Sequence, residues 1–193
     1  MSICYNYGPM KTGTCITVFC GRYYGNNKDN YQASAKLVGK LLAESGYNVA
    51  TGGGNGQMSD VSQGAHEAGG HVISIQLDHP SQEQNVYFTV HEAYQHIDDR
   101  QARLIELADG FIILPGGLGT LYEAVEIILK KTLGLIKMET PIVFINKAYY
   151  QHIKEFFIRG EEEKFFTEPL EKLCIFVDTA EEAVAYINKS LKK

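Results

Sequence analysis

Short apolar runs alternate along the chain with longer segments in which apolar residues recur every three to four positions. The short runs predict strands at 16–20, 47–51, 71–77, 111–114, 141–145 and 174–177. The periodic segments predict helices at 30–45, 57–68, 91–108, from Thr120 onward, 149–158 and up to Leu191. Residues 86–90 are predicted as a further strand or an ordered loop. Gly46 and Gly69 follow two of the helices, where glycine commonly ends a helix.

This alternation of strands and helices predicts parallel βαβ units with right-handed crossovers. The expected fold is therefore a Rossmann-like α/β three-layer sandwich with a mostly parallel sheet. A chain of 193 residues with 45% hydrophobic content fits a single domain, predicted at 15–193. Residues 1–14 lack periodicity and are predicted to be a tail. Residues 78–84 are predicted to be a mobile loop and 160–169 a solvated connection, while Thr179 and Glu182 predict a capping box for the last helix.

Two glycine-rich loops each follow a predicted strand and precede a predicted helix. In PGGLGT, Gly116, Gly117 and Gly119 let the backbone approach a ligand closely, and the helix start offers free N–H groups. These features predict an anion site, most commonly one for phosphate. The second loop, TGGGNGQM, is by itself as consistent with a tight turn as with ligand binding. Neither loop matches GxGxxG or GxxxxGK[ST], so dinucleotide redox chemistry and ATP hydrolysis are not favoured.

Composition and charge narrow the classes of partner. With 18 basic and 23 acidic residues, the net charge of −5 provides no basic field for a nucleic acid polymer. The four cysteines lack CxxC spacing and the histidines lack HxxxH spacing, so free thiols, a reducing cytoplasm and no metal site are expected. No apolar run approaches the roughly 20 residues of a membrane span, and no segment has the order of a secretory signal.

The segment PGGLGTLYE resembles the PGGxGTxxE motif of the LOG proteins. These are phosphoribohydrolases of cytokinin riboside 5′-monophosphates that are often mislabelled as lysine decarboxylases. The resemblance covers most of the chain, and IDDRQ corresponds to the MHxRK segment of the family. It implies that Arg100 and Glu123 cleave the N-glycosidic bond, that no cofactor is needed, and that the protein is a homodimer with sites near the interface. The implied phosphate- and nucleotide-binding residues are Gly116, Gly117, Leu118, Gly119, Thr120, Gly53, Gly54, Met58 and Glu126.

This chain departs from the family pattern at several positions. Ile97, Asp98 and Gln101 replace the Met, His and Lys of that segment, and Arg22 and Tyr23 stand where many relatives carry serines. No lysine lies in the glycine loops to form a pyridoxal Schiff base, so the decarboxylase label has no chemical support.

Three candidate residues have alternative interpretations. Thr120 and Glu123 fit a capping box, in which Glu123 only stabilises the helix start, although the resemblance favours catalysis. Arg100 has no acidic residue within helical reach, so it is either solvated or bound to a distant carboxylate or phosphate. Glu126 either binds a ribose hydroxyl or lies in solvent opposite Lys130.

The predicted function is that of a cytoplasmic nucleoside 5′-monophosphate phosphoribohydrolase, which releases a free base and ribose 5-phosphate. Cytokinin-type nucleotides and AMP are the candidate substrates. A non-catalytic nucleotide or molybdenum-cofactor carrier of the same fold is the alternative, and a purely structural or regulatory binding module is a third class. The carrier would keep the phosphate loops without needing Arg100 and Glu123 as a pair.

Overall fold

A computed structural model describes residues 13–79, 83–166 and 168–191. Seven strands in these ranges form one sheet in the order β4-β3-β2-β1-β5-β6-β7, and every pairing is parallel. The Rossmann-like α/β fold is confirmed, with a sheet that is parallel throughout. The strands are β1 Cys15–Phe19, β2 Asn48–Thr51, β3 Val72–Leu77, β4 Val90–Tyr94, β5 Gly110–Ile113, β6 Ile142–Ile145 and β7 Ile175–Val177.

Helices cover both faces of the sheet because side chains alternate along each strand. On one face, Phe111 and Ile113 pack with buried side chains of α3, α4, α5 and α6. On the other face, Ile112 and Leu114 pack with buried side chains of α1, α2 and α7. Full burial of each such side chain contributes roughly 1.5–3 kcal/mol. The helices are α1 Lys28–Glu44, α2 Gln57–Glu67, α3 Ile97–Glu106, α4 Leu118–Thr132, α5 Gln151–Glu162, α6 Leu170–Leu173 and α7 Ala180–Leu191.

Glycines end two helices as the sequence predicts. Gly46 has φ +82° and donates its N–H to the Ala43 carbonyl just after α1. Gly69 has φ +76° just after α2 and donates to the His66 carbonyl. These left-handed conformations favour glycine, so both predicted helix ends are confirmed.

Of the two alternatives for residues 86–90, the loop is the one found for 86–89, and the strand lies further along the chain, at Val90–Tyr94. The predicted start of the next helix at residue 91 is wrong, because α3 begins at Ile97. The polar sequence HEAY forms a strand because β3 offers it backbone partners, with Glu92 opposite Ile75. The Glu92 carboxylate also accepts hydrogen bonds from Arg103 Nε at 3.0 Å and Tyr94 Oη at 2.7 Å. The pairing with β3 and these side-chain hydrogen bonds offset the weak strand preference of the segment.

The two ends of α5 and the start of α7 also differ in detail from the predictions. Helix α5 begins at Gln151 and extends to Glu162, into the charged run predicted as a connection, where Arg159 forms ion pairs with Glu162 and Glu163. At α7, the Glu182 N–H donates to Thr179 Oγ1 at 3.2 Å, as a capping box requires. The Glu182 carboxylate, however, accepts from the N–H of Asp178 at 2.8 Å rather than from that of Thr179.

Some predictions fall outside the described residues. Residues 1–12 of the predicted tail 1–14 and residues 80–82 of the predicted loop 78–84 lie there, as do residues 167, 192 and 193 of the predicted domain 15–193. Within the described ranges, no helix is both long enough and apolar enough to cross a bilayer.

Candidate active site

A cleft of about 520 Å³ lies where the strand order reverses, at the carboxyl ends of the strands. Strands β1 and β5 are neighbours in the sheet, but the chain leaves them toward helices on opposite faces, α1 on one and α4 on the other. The loops after β1 and β5 therefore diverge and leave a crevice. Ligands of open α/β sheets bind at such a reversal point.

The structure brings together most of the site residues predicted from sequence. Seven of them line the cleft: Met58, Arg100, Gly116, Gly117, Gly119, Thr120 and Glu123. Gly53, Gly54, Leu118 and Glu126 are not among the lining residues in the described ranges. Leu118 is 87% exposed, and Glu126 forms an ion pair with Lys130 at 3.0 Å. Gly53 has φ +70°, and a Cβ there would lie 2.3 Å from Ser74 Oγ, so it serves the tight turn after β2.

Helix α4 begins at Leu118 with Gly117 as its N-cap, two residues before the predicted start at Thr120. Thr120 instead lies in the first turn, where its side chain packs so closely against Gly116 that a Cβ on Gly116 would be 2.2 Å from Thr120 Oγ1. Glu123 is then more than one turn inside the helix, and its carboxylate accepts from Arg100 rather than from an N-cap amide. The capping-box interpretation of Glu123 is therefore wrong.

Two glycines at the start of α4 have no structural requirement within the described chain. A Cβ at Gly117 or Gly119 would meet nothing within 4 Å, and neither residue has a positive φ. Gly119 nevertheless lies within the helix, where glycine costs roughly 0.5–1 kcal/mol relative to alanine. The space beside these glycines adjoins the N–H groups at the N-terminus of α4, which have no acceptor within the helix. Such a position suits an anion.

Arg100 and Glu123 form an ion pair beside this loop. Arg100 Nη1 lies 3.1 Å from Glu123 Oε1, and Arg100 Nε donates to the Ile75 carbonyl at 2.9 Å. Each side chain of the pair is only 12% exposed. Of the two interpretations of Arg100, binding to a distant carboxylate is the one that the structure supports.

The position of Arg100 depends on a glycine in the second loop. A Cβ at Gly52 would lie 2.0 Å from Arg100 Nη2 and 2.9 Å from Met58 Sδ. The first glycine of TGGGNGQM therefore leaves room for the guanidinium, a role that the sequence alone did not indicate.

Burial and the neighbouring charge act in opposite directions on the pKa of Glu123. Burial raises the pKa of the Glu123 carboxyl above its ordinary value, and the neighbouring Arg100 guanidinium offsets part of that rise. A carboxyl with a raised pKa beside a fixed cation can exchange a proton at milder pH than an exposed glutamate, and it can bear a charge that solvent screens poorly.

Two further residues of the site were missed from the sequence. Gln57 lies at the start of α2 and its side chain donates to the Pro115 carbonyl at 2.8 Å, while Tyr149 Oη donates to the Gly116 carbonyl at 2.6 Å. The only sequence signal for Gln57 was its position directly after the glycine cluster, and for Tyr149 its position shortly after a predicted strand.

Among the described residues, no group of three or more His, Cys, Asp or Glu is arranged to hold a metal ion. The described cysteines, Cys15, Cys20 and Cys174, are buried free thiols. No lysine lines the cleft within the described ranges, so the site offers no amine for a pyridoxal Schiff base.

Comparison with known families and curated proteins gives consistent matches. A family model described as "Possible lysine decarboxylase" matches residues 58–187. A cytokinin riboside 5′-monophosphate phosphoribohydrolase of Arabidopsis thaliana, LOG3, is 34% identical over 88% of this chain and 79% of its own length. A probable enzyme of the same name from Oryza sativa subsp. japonica, LOG4, is 32% identical over 95% of this chain and 79% of its own length.

Solved structures show the same fold at lower identity. The molybdenum cofactor binding protein of Rippkaea orientalis has a TM-score of 0.70 at 20% identity, covering 93% of this chain and 98% of its own. The molybdenum cofactor carrier protein of Chlamydomonas reinhardtii has a TM-score of 0.69 at 22% identity, covering 93% of this chain and 99% of its own. At this level of identity the similarity concerns the fold alone.

Proposed function

We propose that this chain, which belongs to the LOG family, is a nucleoside 5′-monophosphate phosphoribohydrolase. It would hydrolyse the N-glycosidic bond and release a free base and ribose 5-phosphate. The observation that carries this proposal is the largely buried Arg100–Glu123 ion pair beside an unobstructed glycine loop in one cleft. Curated relatives at 32–34% identity over most of the chain carry the name of this activity.

The phosphate would bind at the start of α4. The N–H groups of the first turn have no helical acceptors, and the helix dipole favours negative charge there. Gly117 and Gly119 leave the approach to these N–H groups open. A 5′-phosphate held at this point would extend the ribose into the same cleft that Glu123 lines.

Glu123 would act on the ribose carbon C1′. When the bond to the base breaks, positive charge develops at C1′ and the ring oxygen, as in glycoside hydrolysis. An ionised Glu123 would stabilise this charge or orient the water that adds its hydroxyl to C1′, while the other proton of the water goes to the departing base. A fixed charge at such a position contributes several kcal/mol to transition-state stabilisation. Arg100 would hold the carboxylate in place and stabilise negative charge on the base or phosphate.

The wall of the cleft beyond the ion pair would receive the base. Leu77, Ile97 and Tyr122 are among the residues that line the cleft and supply apolar and aromatic surface. The volume of about 520 Å³ lies within the usual range of small-molecule sites. We propose AMP and cytokinin-type nucleotides as the substrates to test first.

The direct test is base release. Purified protein is incubated with AMP, other nucleoside monophosphates and an isopentenyl-type AMP, and free base is measured by chromatography. We expect release from at least one of them, and release that is slower by roughly 100-fold or more with Glu123→Gln. Absence of release from all substrates would refute the enzyme function, and tight nucleotide binding without turnover would favour the non-catalytic carrier.

We propose a homodimer that forms through the exposed face of α4. Leu118, Tyr122, Val125 and Leu129 recur every three to four residues along this helix, and their exposed fractions are 87%, 44%, 43% and 53%. A second copy of the chain can cover such a stripe, because a two-fold interface places the same apolar patch on both subunits. The stripe adjoins the cleft through Tyr122, which would place the two sites near the interface.

We also propose a cytoplasmic location. Cys15, Cys20 and Cys174 are free and buried, which suits a compartment that keeps thiols reduced. Fractionation of cells that contain the protein, followed by immunodetection, would test this.

A further inference from the structure

Three consecutive carbonyl groups of the glycine loop accept hydrogen bonds from donors in other parts of the chain. The Leu114 carbonyl accepts from Tyr150 Oη at 2.7 Å, and the Gly116 carbonyl accepts from Tyr149 Oη at 2.6 Å. Between them, the Pro115 carbonyl accepts from Gln57 Nε2 at 2.8 Å and from the Gly21 N–H at 3.3 Å. Hydrogen bonds to its carbonyl groups therefore fix the segment that leads into α4.

A hydrogen bond that fixes the direction of a carbonyl group also fixes the direction of the N–H group of the next residue. All described peptide bonds are trans, so each C=O and the N–H of the following residue point in opposite directions within one rigid plane. The Pro115 carbonyl therefore fixes the direction of the Gly116 N–H, and the Gly116 carbonyl fixes that of the Gly117 N–H. Without these bonds the two glycines would sample many orientations.

Gln57 connects the three loops that form the cleft. Its backbone N–H donates to the Gly21 carbonyl at 3.2 Å, and its Nε2 donates to the carbonyls of Tyr23 at 3.3 Å and Pro115 at 2.8 Å. The residue is only 1% exposed. Two uncharged donors on one side chain match two carbonyl acceptors, of which that of Pro115 is buried, and neither glutamate nor leucine can provide these donors.

The burial of Gln57 carries a cost within the described chain. Its Oε1 is buried and has no hydrogen-bond partner among the described residues. A buried polar atom without a partner is unfavourable, and such exceptions call for an explanation. The explanation is that Gln57 Nε2 orders the glycine loop through its hydrogen bond to the Pro115 carbonyl.

We propose that Gln57 and Tyr149 are positioning residues, which fix the peptide planes of the glycine loop so that the N–H groups of Gly116 and Gly117 face a phosphate ester. Neither side chain needs to contact the phosphate for this role. The identity of the ligand rests on the proposed function, whereas the ordering of the loop by these two side chains does not.

The test compares Gln57→Leu and Tyr149→Phe with the native protein. Thr17→Val is the matched control, because it also removes one buried side-chain donor to a carbonyl, that of Leu104, outside the cleft. Calorimetric titrations use ribose 5-phosphate as the phosphate ligand and adenosine as a ligand without phosphate. We expect each of the two variants to raise the Kd for ribose 5-phosphate about tenfold, since each removes one side-chain hydrogen bond to the glycine loop. The Kd for adenosine should change less than about twofold, and Thr17→Val should change neither.

Hydrogen exchange of the backbone provides a second measurement that needs no ligand. We expect exchange of the amides at 116–120 to accelerate in Gln57→Leu and Tyr149→Phe and to remain unchanged in Thr17→Val. Unchanged exchange in both variants, or equal losses of affinity for ribose 5-phosphate and adenosine, would overturn the positioning role. If exchange accelerates but the native protein does not bind ribose 5-phosphate, the positioning role stands and the proposed phosphate site fails.

Discussion

Arg100 and Glu123 come from two different helices, α3 and α4, and their side chains meet at 3.1 Å between Nη1 and Oε1. Arg100 Nε is also bound to the Ile75 carbonyl of β3, so the guanidinium is fixed by two partners. The pair therefore links α4 to α3, and through the Ile75 carbonyl to β3.

Replacing Glu123 with Gln should abolish most activity without unfolding the protein. The Gln side-chain oxygen can still accept from Arg100, but the charge that would face C1′ is lost. We expect kcat to fall by roughly 100-fold or more, the size of effect seen when a preorganised electrostatic group is removed. Base release gives the rate, and thermal unfolding checks that the fold is retained. Normal turnover by the variant would mean that Glu123 has only a structural role.

Replacing Gly52 with Ala should displace Arg100. The new Cβ would lie 2.0 Å from Nη2, which is the end of a flexible side chain, so the fold can adapt by moving the guanidinium. We expect the variant to fold and to lose activity to a degree similar to Arg100→Lys. Lysine has a single ammonium group, so it cannot replace the planar guanidinium that binds both the Ile75 carbonyl and Glu123. A crystal structure that shows Arg100 in its original position would contradict this explanation.

Replacing Gly119 with Ala should change stability and binding in opposite directions. Since Gly119 is helical and a Cβ would have open space, alanine should stabilise the protein by roughly 0.5–1 kcal/mol. The same Cβ would narrow the space beside the first-turn N–H groups and weaken binding of ribose 5-phosphate. Urea unfolding and calorimetry measure the two effects separately. Unchanged affinity would show that no ligand approaches this glycine.

The pH dependence of kcat/KM should report the titration of Glu123. Burial raises the pKa of this carboxyl above its ordinary value of 4.5. If the ionised form is required, kcat/KM should rise with pH through an apparent pKa above 4.5. Removing the guanidinium in Arg100→Gln should shift this limb to higher pH, because the cation favours the ionised carboxylate. If the acidic limb of the pH profile is unchanged in Arg100→Gln, the group that titrates is not Glu123.

The raised pKa of Glu123 also makes the free energy of unfolding depend on pH. Because the carboxyl binds its proton more tightly in the folded state, Glu123 contributes stability below its unfolded pKa, and this contribution is lost as pH rises through the folded pKa. Comparing native protein and Glu123→Gln by urea unfolding across this range measures the effect.

A charge on the exposed face of α4 should prevent dimer formation. Leu129 is the last residue of the apolar stripe and is 53% exposed, so Leu129→Glu should not disturb the core. We expect light scattering to give a dimer for the native protein and a monomer for the variant. Phe156→Glu is the matched control, since Phe156 is 67% exposed on α5 rather than on α4, and this variant should remain dimeric. A native monomer would refute the proposed interface.

Features that depend on neighbours along the chain could be predicted from the sequence alone. The apolar runs predicted six of the seven strands in the described chain, and the glycines after α1 and α2 predicted where those helices end. The glycine loop before α4 was recognisable because its glycines, strand and helix are contiguous. The absence of an acidic residue within helical reach left two alternatives for Arg100, solvation or binding to a distant carboxylate or phosphate.

Features that depend on residues far apart in sequence arise only in the folded chain. The segment HEAY is a strand because β3 supplies its hydrogen bonds. The same applies to the pairing of Arg100 with Glu123, the space that Gly52 leaves, and the bonds from Gln57 and Tyr149 to the glycine loop. Periodicity reports which face of an element is apolar, but it does not specify which polar side chains meet across the ends of different strands. Those contacts exist only once the parallel sheet brings the segments after β1, β2, β4, β5 and β6 to the same edge.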